Sequence, residues 1–549
     1  MIQSALRELL KDGAAHLLKS KGMDATVPYF DLGLPPSKIQ GDLAANLPLL
    51  LAKPLATSPK IVGEELIKSF PKSDLVERIE LAGPGFLNII LKDAALKAEL
   101  ALLLKMEQPA ADPARKTEKI LLEFVSANPT GPLHVGHGRG AALGDSLVRI
   151  FRSLGHTVKA EFYVNDSGGQ IRKLGYSTEA RVREVKGETA NFPEDGYKGS
   201  YVLDIAKEAV ASGKTFKPVD DAQMIFDEND LAGYASAKNL GIIQQDLKDF
   251  DVHFDTWFKE SDLHKQNALE ALFNDLKKKG YVYEQEGAVW FKATEFGDEK
   301  DRVLRKGNEA PTYFAADIAY HNEKFGRHFD HYINIWGADH HGYAQRLKGS
   351  LKALGQESEK LEIIFNQLVA IKGGRLSKRA GDMVSLRDLF TEVGKDAARF
   401  FFALRSPNTH FEFDLDLAKK QASENPVFYV QYVHARCCSI FKEGEKRGFK
   451  TDLASTLTTG ALEPSERAVI LHLMNFTHAV EACAKDRSTH HLTIYLMELA
   501  SKYHSFYEQC MVLVDDEAVR TFRLSLVDAI RKTVAKGLSL LGVDAPEKL

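Results

Sequence analysis

One continuous stretch, residues 119–170, constrains the fold of this chain more than any other. It opens with Lys119-Ile-Leu-Leu-Glu-Phe-Val125, a short apolar run of strand type. Ser126-Ala-Asn-Pro-Thr-Gly-Pro-Leu-His-Val-Gly-His137 follows, a tight loop of prolines and glycines. Residues 138–152 then carry Leu143, Leu147, Ile150 and Phe151 at helical spacing. A second strand-like run, Thr157-Val-Lys-Ala-Glu-Phe-Tyr-Val164, ends in Asn165-Asp-Ser-Gly-Gly-Gln170. Strand, helix and strand at this spacing make a βαβ unit, and a βαβ unit requires a parallel sheet. Ligands of such sheets bind at the carboxyl ends of the strands. Both the His-x-x-His loop and the Asn165 segment fall there. A helix entrance also offers free backbone N–H groups and the positive end of a dipole, which suits a phosphate.

The flanking sequence predicts two further units, as a length of 549 residues allows. Residues 1–108 read as α+β, with helices over 4–21, 41–53 and 94–106 and paired strands at 76–82 and 86–91. The polar segment 107–116 holds two prolines and reads as a linker. In residues 109–413 the sheet pattern returns at Tyr332-Ile-Asn-Ile-Trp336 and over 361–371, after a largely helical, charged insertion of about 171–300. Residues 414–549 read as a helical bundle. No apolar run reaches the ~18 residues of a membrane span, and the first residues lack the apolar core of a secretory signal. Cys437, Cys438, Cys483 and Cys510 form no C-x-x-C pair, so neither a disulfide framework nor a thiolate zinc site is indicated, and a cytoplasmic setting is expected. A net charge of −4 argues against a nonspecific nucleic-acid coat but leaves room for local basic patches.

His134 and His137 have three readings. A metal pair needs a third ligand, and no carboxylate is placed to suggest one. A polar turn is the bland reading. The strand-to-helix setting favours the third: imidazole N–H groups that donate to phosphate oxygens as charge develops. Gly373-Gly-Arg-Leu-Ser-Lys-Arg-Ala-Gly381 is a glycine-flanked cationic loop. Alone it reads as solvated surface. Paired with the histidine loop on a parallel sheet, Lys378 and Arg379 become able to close over a triphosphate.

These residues carry a resemblance. His134-Val-Gly-His137 resembles the HIGH motif of class I aminoacyl-tRNA synthetases, and Arg375-Leu-Ser-Lys-Arg379 resembles their KMSKS motif. Val135 replaces Ile, while Arg375 and Arg379 replace the first Lys and the last Ser. The longer strings are similar to bacterial-type arginyl-tRNA synthetases. They include Glu123-Phe-Val-Ser-Ala-Asn128, Asn165-Asp-Ser-Gly-Gly-Gln170, Thr312-Tyr-Phe-Ala-Ala-Asp317, Trp336-Gly-Ala-Asp-His-His341 and Asn425-Pro-Val-Phe-Tyr-Val-Gln-Tyr-Val-His-Ala-Arg436.

The resemblance implies an α/β fold: a Rossmann-type parallel-sheet catalytic domain, an α+β N-terminal domain on the outer corner of the tRNA, and an all-α C-terminal anticodon-binding bundle. It implies an arginine–tRNA ligase that takes L-arginine, ATP with Mg2+ and arginine tRNA, activates arginine only with tRNA present, and holds no tight cofactor. A cytoplasmic monomer that does not associate with membrane is the family's usual state.

By the same carry-over, His134, His137 and Lys378 are catalytic. ATP contacts fall on Pro129, Thr130, Gly131, Pro132, Leu133, His134, Val135, Gly136, His137, Gly337, Asp339, His340, Ser377 and Lys378. Arginine contacts fall on Ser126, Asn128, Glu260, Tyr313 and Asp317, and tRNA contacts on Tyr429, Gln431, Tyr432, His434 and Arg436. No resident metal site is implied. A cysteinyl synthetase would bring zinc-binding cysteines near the site, and a non-catalytic paralogue has no need of both histidines and Lys378.

Overall fold

The apolar runs pair as the βαβ pattern requires. In the computed structural model, residues are described throughout except Met1, Ala25, 36–40, 107–108, 110–115, 221–222, 308–310, 373–383 and 450–459. Strands β1 (Lys119–Glu123), β2 (Thr157–Val164), β3 (Thr256–Lys259), β4 (His331–Gly337) and β5 (Leu361–Asn366) form one sheet in the order β5-β4-β1-β2-β3. Every neighbouring pair is parallel. The chain runs outward from β1 to β3, then returns to the other side of β1 with β4. Between β1 and β4 the direction of winding reverses, and an open α/β sheet has its ligand crevice at such a point.

Helix α1 (Val135–Ser153) links β1 to β2 and is buried along most of its length, including all four residues of the apolar spacing. It can lie so close to the sheet because Gly144 faces the exit of β1. A Cβ there would sit 2.2 Å from Phe124 Cγ.

Three expectations are corrected. The region read as a helical insertion does supply helices Gly168–Val185, Ser200–Ala211 and Leu231–Asp249. It also supplies β3, a strand of the main sheet, and an antiparallel sheet of Val282–Gln285, Ala288–Phe291 and Arg302–Arg305. β3 spans four residues, too few to establish a period in sequence. The helix expected over 41–53 is a strand, Leu43–Ala45, followed by a helix, Leu47–Ala52. Pro48 lies in that helix's first turn, where its missing N–H is no loss. The run 361–371 divides into β5 and Val369–Lys372, which pairs with Phe411–Asp414 in a separate two-stranded sheet.

In the N-terminal unit, helix Ile2–Ser20 and helix Asp93–Lys105 accompany an antiparallel sheet built on the Val76–Ala82 and Phe86–Leu91 pair. The C-terminal bundle consists of Pro426–Lys446, Pro464–Leu473, Phe476–Asp486, His490–Gln509 and Glu517–Leu540. Two arginines tie the units together. Arg467 of the bundle meets Asp93 at 2.6 Å and forms an ion pair with Asp42, both of the N-terminal unit. Arg399, fully buried, pairs with Asp145 of α1 at 2.6 Å and donates to the Phe250 and Leu541 carbonyls at 2.9 and 2.8 Å. Gly542 (φ +66°) packs on that guanidinium, and a Cβ there would fall 2.3 Å from it. Among the described residues no helix is long and apolar enough to cross a membrane.

Candidate active site

The carboxyl edge of the sheet opens into a cavity of about 810 Å³. Its walls come from the exits of β1, β2, β4 and β5, from the mouth of α1, and from helix α2 (Tyr313–Gly326), which Thr312 caps by accepting the Ala315 N–H. The chain leaves β1 through two consecutive left-handed residues, Val125 (φ +67°) and Ser126 (φ +41°). For a β-branched residue this backbone is costly, about 1–3 kcal/mol. Side-chain bonds hold the turn: Ser126 Oγ donates to Glu123 Oε1 at 2.9 Å and accepts the Tyr163 N–H at 3.1 Å. The reversal brings Asn128 to the cavity, where its amide donates to Gln170 Oε1 at 2.6 Å.

His134 caps α1. Its Nδ1 accepts the backbone N–H of Gly136 at 3.1 Å and of His137 at 3.4 Å, while His137 Nδ1 accepts the His134 N–H at 3.3 Å. The rings stack at 3.7 Å. A ring nitrogen that accepts carries no proton, so each neutral imidazole bears its hydrogen on Nε2. Burial lowers the pKa of His134, and burial together with its neighbour takes His137 down to about 3. The cap therefore fixes both tautomers and leaves two neutral Nε2–H donors at the positive end of the helix dipole, a surface suited to phosphate oxygens.

The opposite wall is acidic. α2 presents Asp317, Tyr320, His321 and Lys324 on one face, at the three- and four-residue spacing of a helix. Lys324, fully buried, reaches Glu123 Oε2 at 2.5 Å and Asn334 Oδ1 at 2.9 Å. Glu161 is gripped by both ends of Arg327, at 2.6 and 2.9 Å. These two carboxylates have their cations. Burial works against the charge of Glu123, yet Lys324 and His321 hold its pKa below the usual range. Asp317 and Glu260 form no ion pair among the described residues. Asp317 accepts Tyr343 Oη at 2.5 Å, and Glu260 accepts Tyr163 Oη at 2.6 Å and the Ser167 hydroxyl. Burial, with Glu123 and Glu260 nearby, pushes Asp317 up to about 7 against the Tyr343 bond. The wall has acceptors to spare for a planar cation, and a guanidinium is the side-chain cation shaped for carboxylates.

Of the residues expected at the site, Ser126, Asn128, His134, Gly136, His137, Tyr313, Asp317, Gly337, Asp339 and His340 line the cavity together. Glu260 lies behind Tyr163, buried and outside the lining. Pro129, Thr130, Gly131, Pro132, Leu133 and Val135, expected at the nucleotide, do not line the cavity. Leu133 is fully buried in the core, and the Thr130 carbonyl accepts Tyr201 Oη at 2.7 Å, because the loop packs on the helical insertion. Ser377 and Lys378, with Arg375 and Arg379, lie outside the described residues. The sequence reading overlooked Tyr163, His321, Trp336 and Tyr343. The helical spacing of Tyr320, His321 and Lys324 after Asp317 was a usable signal for part of this wall; Tyr343 had none.

In the C-terminal bundle, Tyr429 and Tyr432 line a cleft of about 350 Å³ with Ser423, Phe428 and His504. The His504 ring stacks with Tyr429 at 5.0 Å and with Tyr432 at 5.9 Å. Arg436 lies over the Tyr507 ring at 4.9 Å. Gln431 and His434, expected to face RNA, are turned inward instead. Gln431 donates to Asp396 and to the Asp544 carbonyl, both at 2.9 Å, and His434 Nδ1 meets the Pro546 carbonyl at 2.9 Å. Their face of the helix holds the C-terminal tail.

A doubly wound parallel sheet, with two capped histidines at the mouth of its first helix, defines the catalytic domain of a class I tRNA synthetase. The family model described as "tRNA synthetases class I (R), catalytic domain" matches residues 99–407. "Arginyl tRNA synthetase N terminal domain" matches 1–91 and "DALR anticodon binding domain" matches 430–549. A protein of Desulforamulus reducens named arginine–tRNA ligase is 42% identical over 100% of this chain and 99% of its own length. One of Moorella thermoacetica with the same name is 44% identical over 95% and 94%. The arginyl-tRNA synthetase structure of Thermus thermophilus shares the fold, with a TM-score of 0.76 over 100% of both chains at 24% identity. This chain belongs to the arginyl-tRNA synthetase family.

Proposed function

We propose that the chain is an arginine–tRNA ligase. An oxygen of the arginine carboxylate attacks the α-phosphorus of ATP, the bond to the bridging oxygen breaks, and pyrophosphate departs. A terminal ribose hydroxyl of arginine tRNA then attacks the arginyl carbonyl, loses its proton, and AMP leaves. One observation carries the reading: a single cavity has two neutral imidazole donors on one wall and, on the other, buried Asp317 with no cation paired to it among the described residues. The first wall takes the phosphates of ATP and the second takes the guanidinium, with Glu260 adding negative potential from behind Tyr163. Asn128 and Ser126 stand at the turn between them, at the reacting end of the amino acid. Gly337, Asp339 and His340 border the nucleotide.

Catalysis here is positioning and charge stabilisation. Lys378 stabilises the α-phosphorus centre and the departing pyrophosphate, and Ser377 borders it. Mg2+ enters with ATP as part of the substrate, and no other cofactor is needed. In this reading the units are 1–108, 109–413 and 414–549. The first meets the outer corner of the tRNA, and the third reads the anticodon, with Tyr429, Tyr432 and His504 offering faces on which a base can stack. The protein works as a cytoplasmic monomer.

The test is arginine-dependent pyrophosphate exchange, with and without arginine tRNA. Exchange with arginine alone among the twenty amino acids, and only with tRNA present, supports the reading; charging with none of them overturns it. Lys378→Ala is expected to slow activation by about a hundredfold or more and to change arginine affinity little. A collapse of arginine affinity at an unchanged rate would assign Lys378 elsewhere.

A further inference from the structure

The four buried carboxylates near the cavity are held in two different ways. Glu123 and Glu161 are matched by cations, Lys324 and Arg327. Among the described residues, Asp317 and Glu260 are matched only by hydroxyls: Tyr343 on the first, Tyr163 and Ser167 on the second. The distinction is chemical. An ammonium neutralises a carboxylate and ends its usefulness to an incoming cation. A phenol stabilises the ionised form and fixes its orientation, yet leaves the negative charge in place.

We infer that Tyr343 is a positioning residue for arginine recognition, a neutral donor that orients Asp317 and keeps it ionised for the guanidinium without occupying its charge. Tyr343 belongs to helix α3 (His341–Leu354) and lines the cavity beside Asp317. Its ring is wedged between Trp336, at 5.9 Å, and Tyr313, at 6.4 Å, with the Arg346 guanidinium at 5.4 Å from the ring centre. Arg346 is itself spoken for by Asp298, at 3.0 Å. Among the described residues, the other ionisable groups around Asp317 are Glu123 from β1, Glu260 after β3, Tyr163 from β2, and Tyr313, His321 and Lys324 from its own helix. Two of them are carboxylates that disfavour a further negative charge, so the donor has a repulsion to offset. The inference rests on the reading of Asp317 as an arginine ligand.

The experiment measures kcat/KM for arginine, in charging of arginine tRNA, between about pH 5.5 and about pH 9. It compares the wild type with Tyr343→Phe, Asp317→Asn and Tyr332→Phe. Tyr332 is a buried tyrosine whose hydroxyl bonds only backbone, from the Phe329 N–H at 3.0 Å and to the Phe325 carbonyl at 3.1 Å. It reports what losing a structural hydroxyl does. In Tyr343→Phe the acidic limb should move up by about one pH unit, so that KM for arginine rises about fivefold near pH 7, about tenfold at the acid end, and approaches the wild-type value at high pH. Tyr332→Phe should leave the limb unmoved. A Tyr343→Phe profile that coincides with the wild type, or a loss of equal size at every pH, overturns the inference. If Asp317→Asn charges arginine with an unchanged KM, the failure belongs to the underlying assignment of Asp317 rather than to Tyr343.

Discussion

Asp317 and Glu123 share a wall and a degree of burial, and they fare oppositely. Lys324 keeps Glu123 ionised, whereas Asp317 rises to about 7. The consequence for stability has a definite sign. The folded value of Asp317 lies above that of an unfolded aspartate, about 3.9. The stabilisation from its protonated form is complete below about pH 4 and is lost as pH rises through about 7. Asp317→Asn, always neutral, should therefore be more stable than the wild type at about pH 8 without arginine, with the gain smaller by about 2 kcal/mol at about pH 5.5 and gone only below about pH 4. Its kcat/KM for arginine should fall at least about a hundredfold. Calorimetric melts at the two pH values check the first half, and equal differences at both would refute it.

The elements differ in how much of themselves they carry in sequence. α1 was legible because its apolar residues repeat over several turns between clear strand and loop signals, and its cap residues stand next to one another. β3 was not, because four residues inside a helical region show no period. Gly144 belongs to the same scale: nothing in its neighbourhood along the chain marks it as a contact, yet Phe124 presses on it. Gly144→Ala should force α1 off β1, at a cost of about 1–3 kcal/mol in unfolding free energy, and should slow activation by displacing the two histidines. Gly13→Ala is the matched control. It lies in helix Ile2–Ser20 with nothing within 4 Å of its added Cβ, and should stabilise by about 0.5–1 kcal/mol. Urea unfolding of both variants, with exchange rates for the first, decides the point.

At the scale of the whole molecule, Arg399 is the junction. It bonds the helix that His134 caps, the Phe250 turn and the end of the last helix of the bundle. Replacing it by Met leaves four polar groups, Asp145 and the carbonyls of Phe250, Asp251 and Leu541, without their shared partner, although Asp145 retains Arg149 at 2.7 Å. The expected cost is about 3–5 kcal/mol. Because the loss falls between catalytic domain and bundle, KM for tRNA should rise more than KM for arginine. Unfolding curves and steady-state charging of Arg399→Met measure both, and a variant with wild-type stability would show that the junction is held by other contacts.

What the sequence determined by itself was local: strand and helix periods, the loop of residues 126–137 at the helix mouth, and motif strings whose members stand close along the chain. Pairing of charges was decided only in three dimensions. Lys324 and Glu123 lie 201 residues apart, and Arg399 and Asp145 lie 254 apart. No spacing in sequence marks which carboxylates receive an ammonium and which are left to a phenol. That choice fixes where a cationic substrate finds free charge, and it follows from which side chains the parallel sheet brings to one edge. The same holds for Gln431 and His434, whose helix face could not be told from sequence until the C-terminal tail packed across it.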